Sequence, residues 1–135
     1  SGAARAGMVN FTETAAFEWA QYGVRVNAVA PGYVASSGMD AYPPWMAETI
    51  RSMPSTVPLG RFATEAEVSS AIVYLLSEAA AFITGTTLRV DGGRPNVRPG
   101  SPMPAPRHGA EPFNGFHLAV TPKVLQGEED RNAGA

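Results

Sequence analysis

The sequence predicts an α/β fold in which helices alternate with the strands of a parallel sheet. Three observations support this prediction: two short β-branched segments each follow a helical pattern, both end at glycine-containing turns, and a helix with a clear start signal lies between them. Parallel strands need neighbours on both edges and helices on both faces. Two strands cannot complete such a sheet, so we expect this chain to be the carboxy-terminal part of a larger domain.

The first predicted element is a helix from Gly2 to Tyr22, and Gly23 follows it as a stop signal. Its apolar residues recur at intervals of three and four, the period of a helix with one buried face. They are Ala4, Met8, Phe11, Ala15 and Trp19. The valine-rich segment from Val24 to Ala30 ends at Pro31-Gly32, which predicts a short buried strand.

The segment from Tyr33 to Arg61 contains four prolines and one short apolar helical pattern. We interpret it as a mobile loop with an apolar helical lid, because thioether and aromatic side chains adapt to an acyl chain. The candidate lid residues are Met39, Tyr42, Trp45, Met46 and Ile50. Ordinary packing of these side chains against the sheet is an equally good interpretation.

The next helix has the clearest start signal, since Thr64-Glu65-Ala66-Glu67 matches a capping box. The residues predicted to form its buried stripe are Val68, Ala71, Ile72, Leu75 and Leu76. The β-branched segment from Thr86 to Val90, closed by Asp91-Gly92-Gly93, predicts a second buried strand.

The character of the chain changes after Gly93, because seven of its twelve prolines lie beyond that residue. We therefore divide the chain into residues 1–93, part of an α/β domain, and residues 94–135, a proline-rich extension that is extended or irregular. The extension carries an apolar cluster that could dock on a folded body. Its members are Phe113, Phe116, Leu118, Val120, Val124 and Leu125.

Composition and charge exclude several classes of function. With 44% hydrophobic and 16% charged residues, the chain has the composition of a folded protein. The net charge of −2 comes from scattered single charges, so no basic stripe is available for nucleic acid. Neither a membrane-spanning apolar run nor a secretory signal is recognisable.

The chain contains no cysteine, and its two histidines, His108 and His117, have no second cluster of ligands near them in the sequence. We expect no metal site, and we interpret both histidines as surface or packing residues. A soluble protein of the cytoplasm fits these observations, and an organellar location stays open.

Three linked segments resemble the short-chain dehydrogenase/reductase family. They are Ser1-Gly2-Ala3-Ala4-Arg5-Ala6-Gly7, Arg25-Val26-Asn27-Ala28-Val29-Ala30-Pro31-Gly32, and Ile83-Thr84-Gly85 leading to Val90-Asp91-Gly92-Gly93. The resemblance implies a three-layer, doubly wound parallel sheet of the Rossmann type and NAD or NADP as cofactor. It also implies homo-oligomers and reversible hydride transfer to or from a carbonyl, alcohol or enoyl thioester.

Within that family, Gly-Ala-Ala-Arg-Ala-Gly and the pair Glu18-Trp19 look most like the enoyl-CoA and dienoyl-CoA reductase branch, particularly the peroxisomal trans-2-enoyl-CoA reductases. This likeness implies a small apolar or acyl-CoA-like substrate. A non-catalytic binding or scaffold subunit with the same fold is the competing interpretation. We expect this chain to be inactive on its own.

The tyrosine and lysine of the family's Tyr-x-x-x-Lys pair correspond to Ser1 and Arg5, the candidate catalytic residues. In the family, the tyrosine transfers a proton and the lysine binds the ribose and lowers the tyrosine pKa. Arg5 can donate to ribose hydroxyls but cannot relay a proton. The enoyl-CoA branch has its pair at the positions of Val9 and Glu13, so all four residues form one stripe expected to face the cofactor. In dienoyl-CoA reductases the tyrosine lies upstream, which leaves an upstream proton donor open.

The family's Pro-Gly-x-x-x-Thr segment, which meets the nicotinamide, corresponds to residues 31–36. Ligands of open α/β sheets bind beyond the carboxyl ends of the strands, which agrees with this location. The candidate cofactor contacts are Arg5, Pro31, Gly32, Val34 and Ser36. Without the resemblance, Arg5 is a solvated helix residue and Pro31-Gly32 a simple turn. Asn27 is predicted to bond to neighbouring backbone. The residues that select NAD or NADP are expected upstream of this sequence, so the cofactor is either of the two.

Overall fold

A computed structural model describes residues 2–94, 102–104, 106, 111–113, 115 and 121–127. Ser1, both histidines, Phe116, Leu118 and Val120 lie outside the described residues. The helices are α1 (Gly2–Trp19), α2 (Ala47–Ser52) and α3 (Glu65–Leu76). The strands are β1 (Ala28–Pro31), β2 (Val34–Ala35), β3 (Ala63–Thr64) and β4 (Thr87–Val90). None of the described helices is long and apolar enough to cross a membrane.

The chain divides into two compact units. Unit 1 contains Ser1–Pro31 and Val68–Val90, and unit 2 contains Gly32–Glu67 and Asp91–Ala135. Each unit holds one two-stranded parallel pair. The predicted α/β class with parallel strands is confirmed, whereas the domain boundary at residue 93 stays a prediction.

In unit 1, β1 pairs with β4 in parallel from Ala28 opposite Thr87 to Pro31 opposite Val90. The strand therefore begins four residues later than the sequence predicted and includes Pro31. Val24 cannot begin the strand, because its N–H donates to the Trp19 carbonyl at the end of α1 (3.3 Å). Pro31 is tolerated because it is the last residue of the strand.

Side chains hold the segment before β1 in place. Arg25 donates from Nη1 to the carbonyl of Leu75 (2.7 Å) and from Nη2 to that of Ser77 (3.4 Å), which satisfies carbonyls at the end of α3. Asn27 donates to the Ile83 carbonyl (2.9 Å) and accepts from the Thr86 N–H (3.2 Å). The prediction that Asn27 bonds to neighbouring backbone is confirmed.

Helix α1 ends at Trp19 and continues as a 3₁₀ turn from Ala20 to Tyr22. Gly23 stops this turn as predicted, with φ of 73° in the left-handed region and its N–H bonded to the Ala20 carbonyl. The predicted buried face is wrong for all its members except Ala15. The buried residues are Thr12, Ala15 and Ala16, whereas Met8 and Phe11 are 60% and 55% exposed. Small side chains let the helix pack closely, since a Cβ added at Gly85 would lie 3.4 Å from that of Ala16.

The stripe predicted for α3 is wrong in part. Leu75 is buried, but Ile72 is exposed and Leu76 is 78% exposed. Periodicity identifies an apolar face but does not show how much of that face the rest of this chain covers.

In unit 2, the predicted capping box is confirmed. The Glu67 N–H donates to Thr64 Oγ1 (3.1 Å), and the Thr64 N–H donates to Glu67 Oε2 (2.9 Å). Arg61 binds the same carboxylate through both terminal nitrogens, at 2.8 and 2.6 Å. The Arg61 hydrogen bond, together with the Thr64 N–H, lowers the pKa of Glu67 to about 2, although partial burial opposes this shift.

The short helix predicted within this segment is confirmed as α2, which lies between 3₁₀ turns at Pro44–Met46 and Met53–Thr56. Pro44 is the first residue of one turn and Pro54 the second residue of the other, positions whose N–H has no partner within the turn. Ile50 is 2% exposed and anchors the segment, whereas Trp45 is 77% exposed. The apolar face of the lid is therefore split between the core and the surface.

The extension, which is itself part of unit 2, bonds to the rest of that unit through its backbone at two of the predicted docking residues. The Phe113 N–H donates to Glu67 Oε1 (3.5 Å) and its carbonyl accepts from the Thr64 hydroxyl, while the phenyl ring is exposed. Val124 is half-buried, and both of its backbone groups bond to side chains. Docking is confirmed for these residues, but at Phe113 it does not depend on burial of the ring.

We predict that Glu67→Gln lowers the free energy of unfolding by about 1–2 kcal/mol at pH 7, because it removes the charge from the cap and from the Arg61 pair. The Glu67 pKa lies below its ordinary value of 4.5 in the folded chain, so its carboxylate stabilises the fold above about pH 4.5. This stabilisation is lost as the pH falls from about 4.5 to about 2.

Urea unfolding between pH 7 and pH 3 measures both effects, with Glu65→Gln as the matched control in the same turn of the helix. The difference in urea midpoint between wild type and Glu67→Gln should stay constant down to about pH 4.5 and narrow below it. Equal urea midpoints for the two variants at pH 7 would show that the cap is not stabilising.

Candidate functional site

A cavity of about 500 Å³ lies in unit 1 between the first turns of α1 and strand β1. Its volume is in the range of about 300–1,000 Å³ that is typical of small-molecule sites. It is lined by Ala4, Arg5, Met8, Val9, Ala28, Val29, Ala30, Pro31 and Thr87. The walls are thus mostly apolar and carry one cation, the guanidinium of Arg5.

The position of this cavity follows from the elements that form it. Residues four apart on a helix lie on one face, so Arg5 and Val9 both reach the cavity from α1. The opposite wall is β1, which the cavity follows to its carboxyl end at Pro31. The carboxyl ends of parallel strands are where open α/β sheets bind ligands. The cavity therefore has the location, size and polarity of a ligand site.

The structure brings together part of the predicted cofactor-facing stripe. Arg5 and Val9 line the cavity, but Glu13, which is exposed, is not among the described residues that line it. For Glu13, the position on the cofactor-facing stripe stays a prediction. An α-helix has about 3.6 residues per turn, so side chains spaced by four rotate by about 40° per step and leave one face after two steps.

Three predicted cofactor contacts, Gly32, Val34 and Ser36, belong to unit 2. A Cβ added at Gly32 would lie 2.8 Å from the Cα of Asp91, so the close approach of these two backbones requires glycine there. Val34 lies in β2, and Ser36 precedes a 3₁₀ turn whose Met39 N–H donates to the Ser36 carbonyl (2.9 Å). Their contacts with a cofactor stay predictions.

Of the predicted lid residues, Met39, Tyr42 and Ile50 line a second cavity, of about 430 Å³, in unit 2. Trp45 and Met46 lie in the adjoining 3₁₀ turn and are not among its described lining residues. The interpretation of this segment as a substrate lid stays a prediction.

Sequence reasoning identified three of the nine described residues that line the first cavity, Arg5, Val9 and Pro31. It missed the other six, which are Ala4, Met8, Ala28, Val29, Ala30 and Thr87. Met8 was assigned to the buried face of α1, and no local signal distinguishes packing from cavity lining at that position. Thr87 reaches the cavity because it lies opposite Ala28 in the parallel pair. Only the register of β1 against β4 could have identified it.

The described residues include no group of three or more histidine, cysteine, aspartate or glutamate side chains that could hold a metal ion.

Comparison with known proteins relates this geometry to a family. Residues 1–94 match the family model described as enoyl-(acyl carrier protein) reductase. A cis-4-hydroxycyclohexanecarboxylate dehydrogenase of Sinomonas cyclohexanicum is 45% identical over 91 residues, which are 67% of this chain and 35% of that protein. An acetoacetyl-CoA reductase of Acinetobacter is 41% identical over 91 residues, with shares of 67% and 36%.

A solved structure of a citronellol catabolism dehydrogenase from Pseudomonas aeruginosa PAO1 is 52% identical, has a TM-score of 0.54, and shares 69% of this chain and 34% of that chain. The chain spans about a third of the length of the relatives it matches. Its parallel α/β arrangement is the Rossmann-type fold of solved short-chain dehydrogenases. From the family match over residues 1–94 and the identity to these relatives, the chain belongs to the short-chain dehydrogenase/reductase family.

Proposed function

We propose that the protein carrying this chain is an NAD(P)-dependent oxidoreductase that transfers a hydride between the nicotinamide and a carbonyl or alcohol substrate. The observation that carries this proposal is the cavity at the carboxyl end of β1, with Arg5 as its one charged lining residue among those described. Arg5 occupies the position of the family lysine that binds the ribose. The names of the relatives, a hydroxy acid dehydrogenase and an acetoacetyl-CoA reductase, support this reaction class.

The residues of the cavity fit a nicotinamide riboside in character. When bound, the nicotinamide supplies or accepts the hydride. The Arg5 guanidinium has five N–H donors and would donate to ribose hydroxyls. The apolar side chains of Met8, Val9 and Val29 would exclude water from the ring, which strengthens electrostatic interactions inside the site.

Arg5 cannot act as the acid or base of this reaction, because a guanidinium stays protonated. We propose that it positions the cofactor and contributes positive charge, which favours the anionic form of an acidic group next to it. Ser1 occupies the position of the family tyrosine and stays a candidate proton donor on the sequence alone. An upstream donor is the alternative that the family resemblance offers.

A second candidate reaction is the reduction of an enoyl thioester. The specific observations in its favour are the segment Gly-Ala-Ala-Arg-Ala-Gly, the pair Glu18-Trp19, and the description of the matching family model. Both candidates use the same cofactor and differ in the group that receives the hydride. Assembly as a homo-oligomer, inactivity of this chain alone and a cytoplasmic location stay predictions.

We predict that Arg5→Ala weakens the binding of NADH or NADPH by about 1.5–3 kcal/mol, because it removes a charge-assisted hydrogen bond. This corresponds to a roughly ten- to hundredfold higher Kd. Arg5→Lys should restore much of the affinity, since an ammonium reaches the same hydroxyls. Val9→Ala, on the same face of α1, keeps the charge and removes only apolar contact, so it should weaken binding far less than Arg5→Ala does.

Fluorescence titration of the protein with each dinucleotide measures these affinities. If all three variants bind like the wild type, Arg5 is a solvated surface charge and the cavity is not the ribose site.

We predict that the protein oxidises NADH or NADPH faster with acetoacetyl-CoA than with crotonyl-CoA. The two thioesters have the same chain length and differ in whether a keto group or a double bond receives the hydride. The decrease in absorbance of the reduced cofactor measures both rates. Turnover of crotonyl-CoA alone would favour the enoyl reductase, and cofactor binding without turnover of either would favour a non-catalytic subunit.

A further inference from the structure

The segment Thr121–Gln126, which we call the clasp, lies beyond the region that matches the family model. It has a defined conformation of its own. The Leu125 N–H donates to the Pro122 carbonyl (2.9 Å), and Gln126 Nε2 donates to the Thr121 carbonyl (2.8 Å). Pro122 is buried. The clasp is therefore a folded turn and not a loosely attached strand.

Two side chains of the lid segment, residues 37–56, hold the clasp at one residue. Asp40 Oδ1 accepts a hydrogen bond from the Val124 N–H (3.3 Å), and Arg51 Nε donates to the Val124 carbonyl (2.9 Å). Both backbone groups of Val124 are thus satisfied by the lid segment. These bonds fix the clasp as one wall of the second cavity, whose volume is about 430 Å³.

The other wall of this cavity comes from the lid segment and is mostly apolar apart from Asp40 and Arg51. Met39, Tyr42 and Ile50 contribute to it. Thioether and aromatic side chains accommodate flexible apolar groups. The volume is within the range of about 300–1,000 Å³ found for small-molecule sites. An aliphatic chain of moderate length matches this wall.

Among the described residues that line the cavity, positive charges outnumber negative ones. Arg51 and Lys123 are cations, and Asp40 is the one carboxylate of that described lining. The Asp40 carboxylate is engaged by the Val124 N–H, and the Arg51 guanidinium is held in place by the Val124 carbonyl. Lys123 is exposed and is the single lysine of the sequence. The excess of positive charge favours a ligand that carries a negative group.

We propose that the cavity between the lid segment and the clasp binds a small amphipathic anion, with the aliphatic chain on Met39, Tyr42 and Ile50 and the anionic group at Arg51 and Lys123. Lys123 is then a specificity-determining residue supplied by the extension. The identification of this anion with the substrate of the enzyme, an acyl compound, rests on the proposed function. The binding itself does not.

The test is calorimetric titration of the protein with octanoate and with octan-1-ol, in the absence of dinucleotide. The two probes have the same chain and differ in charge. Octanoate should bind more tightly than octan-1-ol, and added salt should reduce this difference. Lys123→Gln should raise the Kd of octanoate about two- to fivefold, and Lys123→Glu about tenfold, with no change for octan-1-ol.

Arg94→Gln is the matched control, because it removes one positive charge from unit 2 at a residue that is not among the described lining of this cavity. It should leave the Kd of octanoate unchanged. Circular dichroism of each variant checks that the fold is retained.

The proposal is overturned if octanoate does not bind, if it binds no more tightly than octan-1-ol, or if the Lys123 variants bind it like the wild type. Any of these results leaves the Arg5 titration untouched, because that experiment concerns unit 1 and the cofactor. Failure of the cofactor experiment with normal octanoate binding would in turn reject the proposed function and keep this site.

Discussion

The hydrogen bonds that Arg25 and Asn27 donate to backbone carbonyls determine where β1 lies. Arg25 reaches Leu75, Ser77 and Ile83, so one guanidinium joins the end of α3 to the segment before the strand. Asn27 bonds both to the Ile83 carbonyl and to the Thr86 N–H, which sets the register of β1 against β4. That register places Thr87 and the β1 backbone along the first cavity. Loss of these bonds would leave buried carbonyls unpaired and the cavity without its strand wall.

The Glu67 carboxylate has the corresponding role in unit 2. It accepts from Arg61, from the Thr64 N–H and from the Phe113 N–H, so one charged group joins β3, the start of α3 and the extension. Val124 is held in the same manner by Asp40 and Arg51. At both residues the extension is recognised through its main chain. A contact made through backbone atoms does not require burial of the side chain. For this reason the apolar character of Phe113 did not predict that its backbone, and not its ring, makes the contact.

Local signals in the sequence predicted local structure well. The capping box at Thr64 and Glu67, the left-handed Gly23 and the bonding of Asn27 all depend on a few neighbouring residues, and the structure has them as predicted. Burial depends on which elements cover a face. Met8, Phe11 and Leu76 were predicted to be buried, but the described part of the chain leaves them exposed. The cavity was accessible from the sequence only through Arg5, Val9 and Pro31. The contribution of Thr87 needs the strand register, and the absence of Glu13 from the described lining follows from the helical period of about 3.6 residues per turn.

We propose that the cavity between α1 and β1 receives the nicotinamide end of the cofactor and that Arg5 binds its ribose. A crystal structure of the protein with bound NADH or NADPH would show where the nicotinamide riboside lies. We expect an Arg5 nitrogen within hydrogen-bonding distance, about 2.7–3.2 Å, of a ribose hydroxyl oxygen, with the nicotinamide ring beside Val9 and Pro31. A cofactor whose nicotinamide riboside lies outside this cavity, with no contact to Arg5, would contradict it.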